Sequence, residues 1–407
     1  MEKRLKVLVL SYLFPNRKKP DHGIFVLNRL KALSQYVDIK VINPIPWFPG
    51  QNLFERYKHR SSIPLQDTIG GLDVYHPRFF SVPKFLKNGE GDQYLKSIRP
   101  VVDEIHKDFE FDLVDMHWTF PDLPAGIAIG KEYNKKTIVT LRGMEAFHEQ
   151  DNDQRHQIVE KGLKEVDAII ALSQELKNRG DELSSDPNKS VVIRNGVDTE
   201  QFYYIPKVES RDHLGMNQLE INILSVGSLI YRKGFDLLVK CIAELKKEEK
   251  YKNIRLYIIG SQGPEGDYRK ELNQLIERLN VNENIIFVGQ VPNSELKYWY
   301  SSINIFCLAS RGEGSPNVLA EALACGCPSV TTDVGSAREI IESQKDLGLC
   351  TLPGDEEMLF AAIRGILSQV INRKLNAGEM RQYNWNWCAQ SVLPIYQDLK
   401  GYPNNEI

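Results

Sequence analysis

Two glutamates, Glu313 and Glu321, flank the predicted start of a helix in the last third of the chain. Glu313 lies in a Gly/Ser/Pro-rich turn after an apolar, strand-like run at 303–308, and Glu321 stands eight residues further on. The helix is predicted to begin near Pro316 and Asn317, where free backbone N–H groups and the positive end of the helix dipole favour a phosphate. A carboxylate just before such a helix can accept hydrogen bonds from sugar hydroxyls, and one about a turn inside it can accept them from a ribose.

The same residues allow two other interpretations. Glutamate is common on helices, so a surface turn followed by a helix with incidental acids would give the same pattern. The stretch from Gly312 to Asn317 also reads Gly-x-Gly-x-x-Asn between a strand and a helix, which is close to a dinucleotide-binding fingerprint. That fingerprint requires a third glycine where Asn317 stands. The pattern therefore disfavours an NAD-dependent enzyme.

Two adjacent cations, Arg232 and Lys233, lie in a loop that leads into a helix at Gly234. The loop follows a predicted strand at 221–226. Arginine binds a diphosphate through two parallel hydrogen bonds and lysine binds it as a point charge, so the pair suits a diphosphate. Arg-Lys pairs are also commonplace at solvated helix starts, which is the alternative interpretation.

Three residues of the first half of the chain lie next to predicted strand ends as well. His117 follows the run 113–115, Arg142 follows 137–141, and Gly23 opens a helix after the first strand, 7–10. Open α/β sheets bind ligands outside the carboxyl ends of their strands, so all three are candidates, although a lone histidine is more often structural than catalytic. The basic loop 17–19 could meet an anionic acceptor or a phospholipid surface, and a solvated loop is an equal alternative.

Short apolar runs alternate with amphipathic, helix-like stretches along the whole chain. This alternation predicts the α/β class, with parallel sheets covered on both faces. The pattern restarts after 195–198, and 407 residues are too many for one ordinary core, so two domains are expected. We place an N-terminal domain at 1–203, a C-terminal domain at 204–384 and a last helix at about 385–400. Strands are predicted at 7–10, 39–42, 113–115, 137–141, 168–172, 191–193, 221–226, 255–259, 285–288, 303–308 and 328–331.

The segment 311–330 resembles the paired-glutamate motif of the retaining glycosyltransferases of family 4. The match includes the turn, both glutamates and the Ala-Cys-Gly-Cys-Pro that follows them. Further resemblance runs through 193–198 to a final segment that contains Trp385, Ala389 and Tyr396, and so spans nearly the whole chain. It implies the GT-B fold, in which two Rossmann-like domains face each other across a central cleft and a C-terminal helix crosses back to the first domain.

The resemblance also implies roles for individual residues. Glu313 would contact hydroxyls of the donor sugar, Glu321 would hold the ribose, and the Arg232–Lys233 pair would bind the diphosphate. Some members of the family take the arginine from the position that Ser228 occupies here, and the glycine loop of the family has one glycine here in place of the usual pair. The expected catalytic residues are His117, Glu313, Arg232 and Lys233. The expected donor-binding residues are Gly23, Arg142, Ser228, Gln290 near the base pocket, Gly314, Ser315, Pro316, Asn317, Val318 and Glu321.

The reaction implied by the resemblance is transfer of a hexose-type sugar from a UDP- or GDP-sugar to an acceptor hydroxyl, with retention of anomeric configuration. The leaving phosphate would take the proton of the acceptor on the same face of the sugar. No further cofactor and no metal are expected, because the Asp-x-Asp at 151–153 lies in a polar run and is predicted to be a solvated turn. An epimerase, a phosphorylase and a non-catalytic sugar-nucleotide-binding protein are the alternatives.

Composition limits the partners. With 51 basic against 54 acidic residues and a net charge of −3, the chain lacks the excess of positive charge that nucleic-acid binding requires. No segment reaches the roughly 18 apolar residues of a membrane span, the start lacks a signal-peptide cleavage site, and six scattered cysteines suggest a reducing compartment. We expect a cytoplasmic protein, with the inner face of the plasma membrane as a second location.

The acceptor is expected to bind the N-terminal domain. A saccharide or a lipid-linked acceptor, in cell-surface polysaccharide or glycolipid synthesis, is the expectation from the resemblance, and a small soluble acceptor of the sucrose-synthase type is the alternative. Segments 47–49 and 79–87 combine aromatic residues with lysines, and we predict that they dock the protein on a membrane surface. Alternatively, 79–86 is a core loop.

Overall fold

The computed structural model describes residues 4–83, 89–143, 147–148, 153–263, 266–344 and 347–401. The chain divides into two compact units, Met1–Asn195 with Trp385–Ile407, and Gly196–Asn384. The boundary expected at 203/204 lies later in the chain than this division. Residues 151 and 152 of the Asp-x-Asp, and 84–87 of the predicted docking segment, lie outside the described residues.

The first unit alternates strands and helices. Its elements in chain order are β1 (Lys6–Leu10), α1 (Ile24–Leu33), β2 (Asp38–Ile42), β3 (Ile45–Trp47), α2 (Glu55–Lys58), β4 (Gln66–Ile69), β5 (Leu72–Tyr75), β6 (Arg78–Phe80), α3 (Glu90–Asp108), β7 (Leu113–Met116), α4 (Asp122–Tyr133), β8 (Lys136–Leu141), α5 (Asp153–Glu165), β9 (Ala168–Ala171), α6 (Gln174–Ser184) and β10 (Ser190–Val192).

The sheet of this unit has the order β10-β9-β8-β7-β1-β2-β5-β4, and β3 pairs with β6 in a separate small sheet. Its neighbouring strands run parallel except β4 and β5, which are antiparallel. In β1, Val7 and Val9 pack into one core and Leu8 and Leu10 into another. The strand is apolar at successive positions because both faces of the sheet are covered.

The second unit repeats the plan. Its elements are α7 (Lys207–Leu214), β11 (Ile221–Val226), α8 (Phe235–Leu245), β12 (Ile254–Ile259), α9 (Arg269–Arg278), β13 (Ile285–Gly289), α10 (Leu296–Ser302), β14 (Ile305–Leu308), α11 (Asn317–Ala324), β15 (Ser329–Thr332), α12 (Ala337–Glu342), β16 (Gly348–Thr351), α13 (Glu356–Leu367) and α14 (Arg373–Met380). The strand order is β13-β12-β11-β14-β15-β16, and all of these pairs are parallel.

The last helix, α15 (Trp385–Lys400), belongs to the first unit and packs against α1. Cys388, Ala389, Val392 and Tyr396 are buried in the same core as Val7 and Val9. The predicted helix at 385–400 therefore returns to the first domain. In the part of the chain that the structure describes, no helix is both long and apolar enough to span a bilayer.

Candidate functional site

The carboxyl ends of β11 and β14 bring the two loops of the sequence motifs together. These strands are neighbours in the sheet, so the loop 227–234 after β11 lies beside the loop 309–316 after β14. The Arg311 N–H donates to the Arg232 carbonyl at 2.7 Å, and Arg232 Nη1 donates to the Gly312 carbonyl at 2.7 Å. The two loops are thus joined by hydrogen bonds in both directions.

Gly234 makes this close approach possible. It has a φ of 65°, and a Cβ at this position would stand 1.9 Å from the Ala309 carbonyl oxygen. No side chain fits there, and glycine adopts the left-handed conformation without steric cost. The glycine predicted to open the helix is therefore required by both its conformation and its contact with the neighbouring loop.

Glu313 is the centre of a cluster of charges in these loops. Lys233 Nζ lies 2.6 Å from Glu313 Oε1, and Ser310 Oγ donates to the same oxygen at 2.6 Å. Arg232 Nη1 lies 3.5 Å from Glu313 Oε2. The structure thus brings together three of the four residues predicted to be catalytic. A carboxylate held between two cations can exchange its partners with an anionic, polyhydroxylated ligand.

An ion pair between Arg311 and Asp236 connects the loop after β14 with the start of α8. Arg311 donates two hydrogen bonds to the Asp236 carboxylate, at 2.9 and 2.7 Å, and its guanidinium lies 4.0 Å from the ring centroid of Tyr231. Such a bidentate pair fixes the relative orientation of two elements. This pair could not be predicted, because nothing in the sequence shows that the start of α8 meets the loop after β14.

The loop that precedes α11 is fixed by the loop between β15 and α12. Ser315 Oγ and Ser336 Oγ are 2.9 Å apart, and the Ser336 N–H donates to the Gly314 carbonyl at 3.1 Å. Helix α11 then begins at Asn317, after Pro316, as the sequence predicts. The Leu319 N–H donates to the Pro316 carbonyl at 3.0 Å, and this first turn lies at the positive end of the helix dipole.

Glu321 lies inside α11 and is largely buried. Burial raises the pKa of its carboxyl group to about 7, against a hydrogen bond from the Tyr300 hydroxyl, at 3.0 Å, that lowers it. Near neutral pH the group is therefore present in both protonation states. It can accept a hydrogen bond from a ligand hydroxyl as a carboxylate, or donate one as an acid.

Ser228 and Gln290 lie at the same strand edge, after β11 and β13. Gln290 Nε2 donates to Ser261 Oγ at 2.9 Å, and the Leu229 N–H, next to Ser228, donates to the Ser261 carbonyl at 2.8 Å. A Cβ at Gly260 would stand 1.9 Å from the Gly227 carbonyl oxygen. The loops after β11, β12 and β13 are therefore packed closely together, and Ser261 bonds to Gln290 and to the residue that follows Ser228.

In the first unit, His117 follows β7 and is completely buried. Its Nε2 lies 3.0 Å from Asp115 Oδ2, and Arg142 donates to Nδ1. Because Nδ1 accepts, we assign the proton to Nε2, which donates to Asp115. Burial lowers the pKa of His117 to about 4, so the ring is neutral. Both ring nitrogens are already bonded within the protein, and the predicted contact with a donor sugar would require one of these bonds to be exchanged.

The His117 network extends to the last helix. The Tyr396 hydroxyl donates to Asp115 Oδ2 at 2.5 Å. Burial alone would raise the pKa of Asp115, but interaction with His117 and Tyr396 holds it below its ordinary value. Arg29 is also buried and donates to Thr140 Oγ1 at 3.3 Å. His117 and Arg142 were predicted as site residues from the sequence, whereas Asp115 and Arg29 were not, because they look like ordinary members of a strand and a helix.

Gly23 precedes α1 with a φ of 71°, and a Cβ there would stand 2.4 Å from the Leu13 carbonyl oxygen.

Asp122, at the start of α4, accepts hydrogen bonds from the Tyr94 hydroxyl, at 2.6 Å, and from the Tyr12 N–H. Burial raises the pKa of Asp122 to about 7. Nothing in the sequence marked this buried carboxyl group, because Asp122 looks like an ordinary residue of a helix start.

Two family models match the chain. The model described as glycosyl transferases group 1 matches residues 207–380, and the model described as glycosyltransferase family 4 matches residues 64–201. Among curated proteins, TuaC of Bacillus subtilis (strain 168), whose name assigns it to teichuronic acid biosynthesis, is 24% identical over 352 residues, which cover 84% of this chain and 85% of TuaC.

Solved structures show the same fold. Sucrose-phosphate synthase from Thermosynechococcus elongatus superposes with a TM-score of 0.79 at 18% identity, over 98% of this chain and 100% of that chain. Anabaena HepE in complex with UDP superposes with a TM-score of 0.72 at 18% identity, over 97% of this chain and 100% of that chain. The predicted GT-B fold of two Rossmann-like units and a returning C-terminal helix is thereby confirmed. The chain belongs to the glycosyltransferases of group 1 and family 4, as its paired-glutamate motif indicates.

Proposed function

We propose that the protein transfers a hexose-type sugar from a nucleoside diphosphate sugar to an acceptor hydroxyl, with retention of anomeric configuration. The observation that carries this proposal is the cluster of Lys233, Arg232 and Glu313 at the carboxyl ends of β11 and β14, beside the start of α11. Two cations and a helix N-terminus suit the negative charge that grows on a leaving diphosphate. A neighbouring carboxylate suits the hydroxyls of the sugar.

Each residue of this cluster has a task that follows from its contacts. Lys233 now neutralises Glu313 at 2.6 Å, and a diphosphate would draw Lys233 and Arg232 to itself. Glu313 would then be able to accept hydrogen bonds from the donor sugar, still held by Ser310. Glu321, which lies about one turn inside α11, would bind the ribose. The base would lie near Gln290 and Ser261.

Retention in this proposal requires no carboxylate nucleophile. The leaving phosphate takes the proton of the acceptor while the acceptor oxygen attacks the same face of the sugar, so atoms and charges balance without a covalent enzyme intermediate. Glu313 in this proposal accepts hydrogen bonds from the sugar hydroxyls and from Ser310, and forms no bond to the anomeric carbon. We propose that no cofactor besides the sugar nucleotide, and no metal, takes part.

The acceptor in this proposal is a saccharide or a lipid-linked saccharide of a cell-surface polysaccharide or glycolipid. The assignment of TuaC to teichuronic acid biosynthesis supports it, and the likeness to sucrose-phosphate synthase keeps a small soluble acceptor as the second candidate. Peripheral membrane contact remains part of the proposal for Trp47 and Phe80, which are exposed. Phe48 and Phe79 are buried, so both predicted docking segments contribute a residue to the core, and the burial of Phe79 fits the alternative of a core loop at 79–86.

A thermal-shift screen against UDP, GDP, ADP and their sugar conjugates tests the donor site. At a concentration of about 100 Kd, binding to the native state alone adds roughly 2.7 kcal/mol of stability, and we expect this for one nucleotide family. Glu321→Ala should abolish the response, and Glu277→Ala, which removes an exposed carboxylate from α9, should keep it. Failure of every nucleotide to shift a well-folded sample would remove the proposal.

Catalysis and stereochemistry need a second measurement. With the nucleotide known, the anomeric proton of the product is followed by NMR, and retention is the expected result. Binding of the sugar nucleotide with no product from any saccharide acceptor and no slow hydrolysis of the donor would favour a non-catalytic binding protein instead.

A further inference from the structure

A group of basic side chains in the first unit has no role in the proposed donor site. It consists of Lys19 in the loop after β1, and of Arg56, His59 and Arg60 in and just after α2. We call it the basic cluster. Arg56 and Arg60 both lie over the ring of Tyr57, with their Cζ atoms 5.8 and 4.7 Å from its centroid.

The loop that carries Lys19 is held in a fixed turn. Asn16 and Lys19 exchange two backbone hydrogen bonds, at 3.2 and 3.0 Å, and the buried Asn16 side chain accepts from the N–H groups of Lys18 and Lys19. The Arg17 guanidinium donates two hydrogen bonds to the Asp67 carboxylate, at 2.7 and 2.8 Å. The backbone at Lys19 is therefore positioned before any ligand arrives.

The two segments of the basic cluster are linked by electrostatic repulsion between their side chains. Burial, and then repulsion from Arg60 and Arg56, lowers the pKa of Lys19. Burial, and then repulsion from Lys19 and Arg60, lowers the pKa of His59. Like charges that repel one another in this way are destabilising unless an anion lies between them.

The neighbouring carboxylates are committed elsewhere. Asp67 is bound by Arg17, and Glu55 pairs with Lys58 at 2.6 Å. Among the residues that the structure describes, no carboxylate forms an ion pair with Lys19, Arg56 or Arg60. The cluster therefore presents positive charge that the described protein does not neutralise.

The place of the basic cluster in the fold connects it with substrate. Lys19 lies in the loop between the carboxyl end of β1 and α1, and the charge of Arg60 acts on the phenol of Tyr12, two residues after the end of β1. The cluster thus lies at the carboxyl edge of the first sheet, where open α/β sheets bind ligands. The aromatic side chains of Phe48, Phe54 and Tyr57 pack against one another beneath it, with ring centroids 5.6 to 6.4 Å apart.

We propose that Lys19, Arg56, His59 and Arg60 bind a phosphate group carried by the acceptor. The inference rests on the proposed glycosyl transfer and names the class of its acceptor. Guanidinium groups match the geometry of phosphate oxygens, and a phosphate supplies the negative charge that the cluster lacks. The phosphate belongs either to a soluble sugar phosphate or to the phosphate that links a saccharide to a lipid.

The test uses inorganic pyrophosphate as the probe, in isothermal titration calorimetry of the full chain. The donor site is first saturated with the nucleoside diphosphate that the thermal-shift screen selects, so that pyrophosphate cannot report on Lys233 and Arg232. Lys19→Gln/Arg56→Gln removes two cations of the cluster, one from each segment. Arg60 is left in place because it also donates to the Pro46 carbonyl at 3.4 Å. Arg99→Gln/Lys107→Gln, on α3, removes the same charge from another exposed surface and is the matched control.

We expect the cluster variant to lose about tenfold or more in pyrophosphate affinity, since two charge-assisted contacts are removed, and the control to change by less than about twofold. Equal affinity in the wild type and the cluster variant overturns the proposal, as does an equal loss in the control. If no nucleotide binds, the same titration without nucleotide is made in the Lys233→Ala background, which separates failure of the donor site from failure of this site.

Two further arms identify the source of the phosphate. A hexose 1-phosphate competes with pyrophosphate if the acceptor is soluble. Phosphatidylcholine vesicles that carry a polyprenyl phosphate sediment the wild type, and sediment the cluster variant less, if the acceptor is lipid-linked. Sedimentation that is equal for the two proteins, together with no competition by the hexose phosphate, counts against a phosphate on the acceptor.

Discussion

At the scale of single residues, the pKa of the Glu321 carboxyl group has a direct consequence for the stability of the fold. Its pKa is raised from 4.5 to about 7, chiefly by burial. Between these two values the folded protein holds a proton that the unfolded chain has released. The contribution of Glu321 to the free energy of unfolding therefore falls as the pH rises from about 4.5 to 7. The unfolded chain ionises this carboxyl group in water, whereas the folded protein would have to bury the charge.

Glu321→Gln should remove this pH dependence. We expect the free energy of unfolding of the variant to gain up to about 3 kcal/mol relative to wild type between pH 5 and pH 8, since one pKa unit corresponds to about 1.4 kcal/mol. Urea unfolding of both proteins at the two pH values measures it. Glu277→Gln, an exposed position on α9, is the control, and a difference between Glu321→Gln and wild type that stays constant with pH would refute the assignment.

At the scale of elements, the sequence predicts those strands that consist of a continuous apolar run. The runs at 7–10 and 221–226 lie within the central strands β1 and β11, because strands buried on both faces are apolar throughout. The strands β3 and β6 have three residues each and carry no such pattern. They pair with each other although a long stretch of sequence separates them. The paired-glutamate motif predicted Glu313 and the start of α11, and the loop after the strand at 221–226 predicted Lys233. The Arg311–Asp236 pair, by contrast, depends on which loops the sheet order places side by side.

Gly234 shows how an element is fixed by a contact rather than by a propensity. Gly234→Ala places a Cβ against the Ala309 carbonyl, at 1.9 Å, and Gly215→Ala has the same left-handed φ, near 64°, with nothing within 4 Å of its Cβ. We expect Gly215→Ala to lose about 1 kcal/mol of stability from backbone strain alone and Gly234→Ala to lose several kcal/mol. Chemical denaturation measures both, and similar losses in the two variants would show that the approach of the loops is not as tight as described.

At the scale of the whole molecule, each unit has its own cores, yet the first is completed by the end of the chain. Sequence alone could predict that a helix near 385–400 returns to the first domain only through the family resemblance. Its physical basis is visible in the structure: Tyr396 crosses the core to reach Asp115, which in turn holds His117. One buried carboxylate thus links a strand end, a predicted site residue and the last helix.

Tyr396→Phe tests this link. The variant removes one hydroxyl and leaves the Asp115 carboxylate buried with one hydrogen bond fewer, so we expect a loss of about 1.5–3 kcal/mol. Tyr36→Phe is the matched control, because the Tyr36 hydroxyl also donates to α15, to Asn386 Oδ1 at 2.7 Å, but in a partly exposed place. This variant should lose less than about 1 kcal/mol. Calorimetric unfolding with and without the selected nucleotide separates the units. The loss in Tyr396→Phe should fall on the transition that nucleotide does not stabilise, because Asp115 and α15 belong to the first unit and the proposed donor site to the second. An equal loss in both variants, or a weaker response to nucleotide in Tyr396→Phe, would mean that the buried bond does not act within the first unit alone.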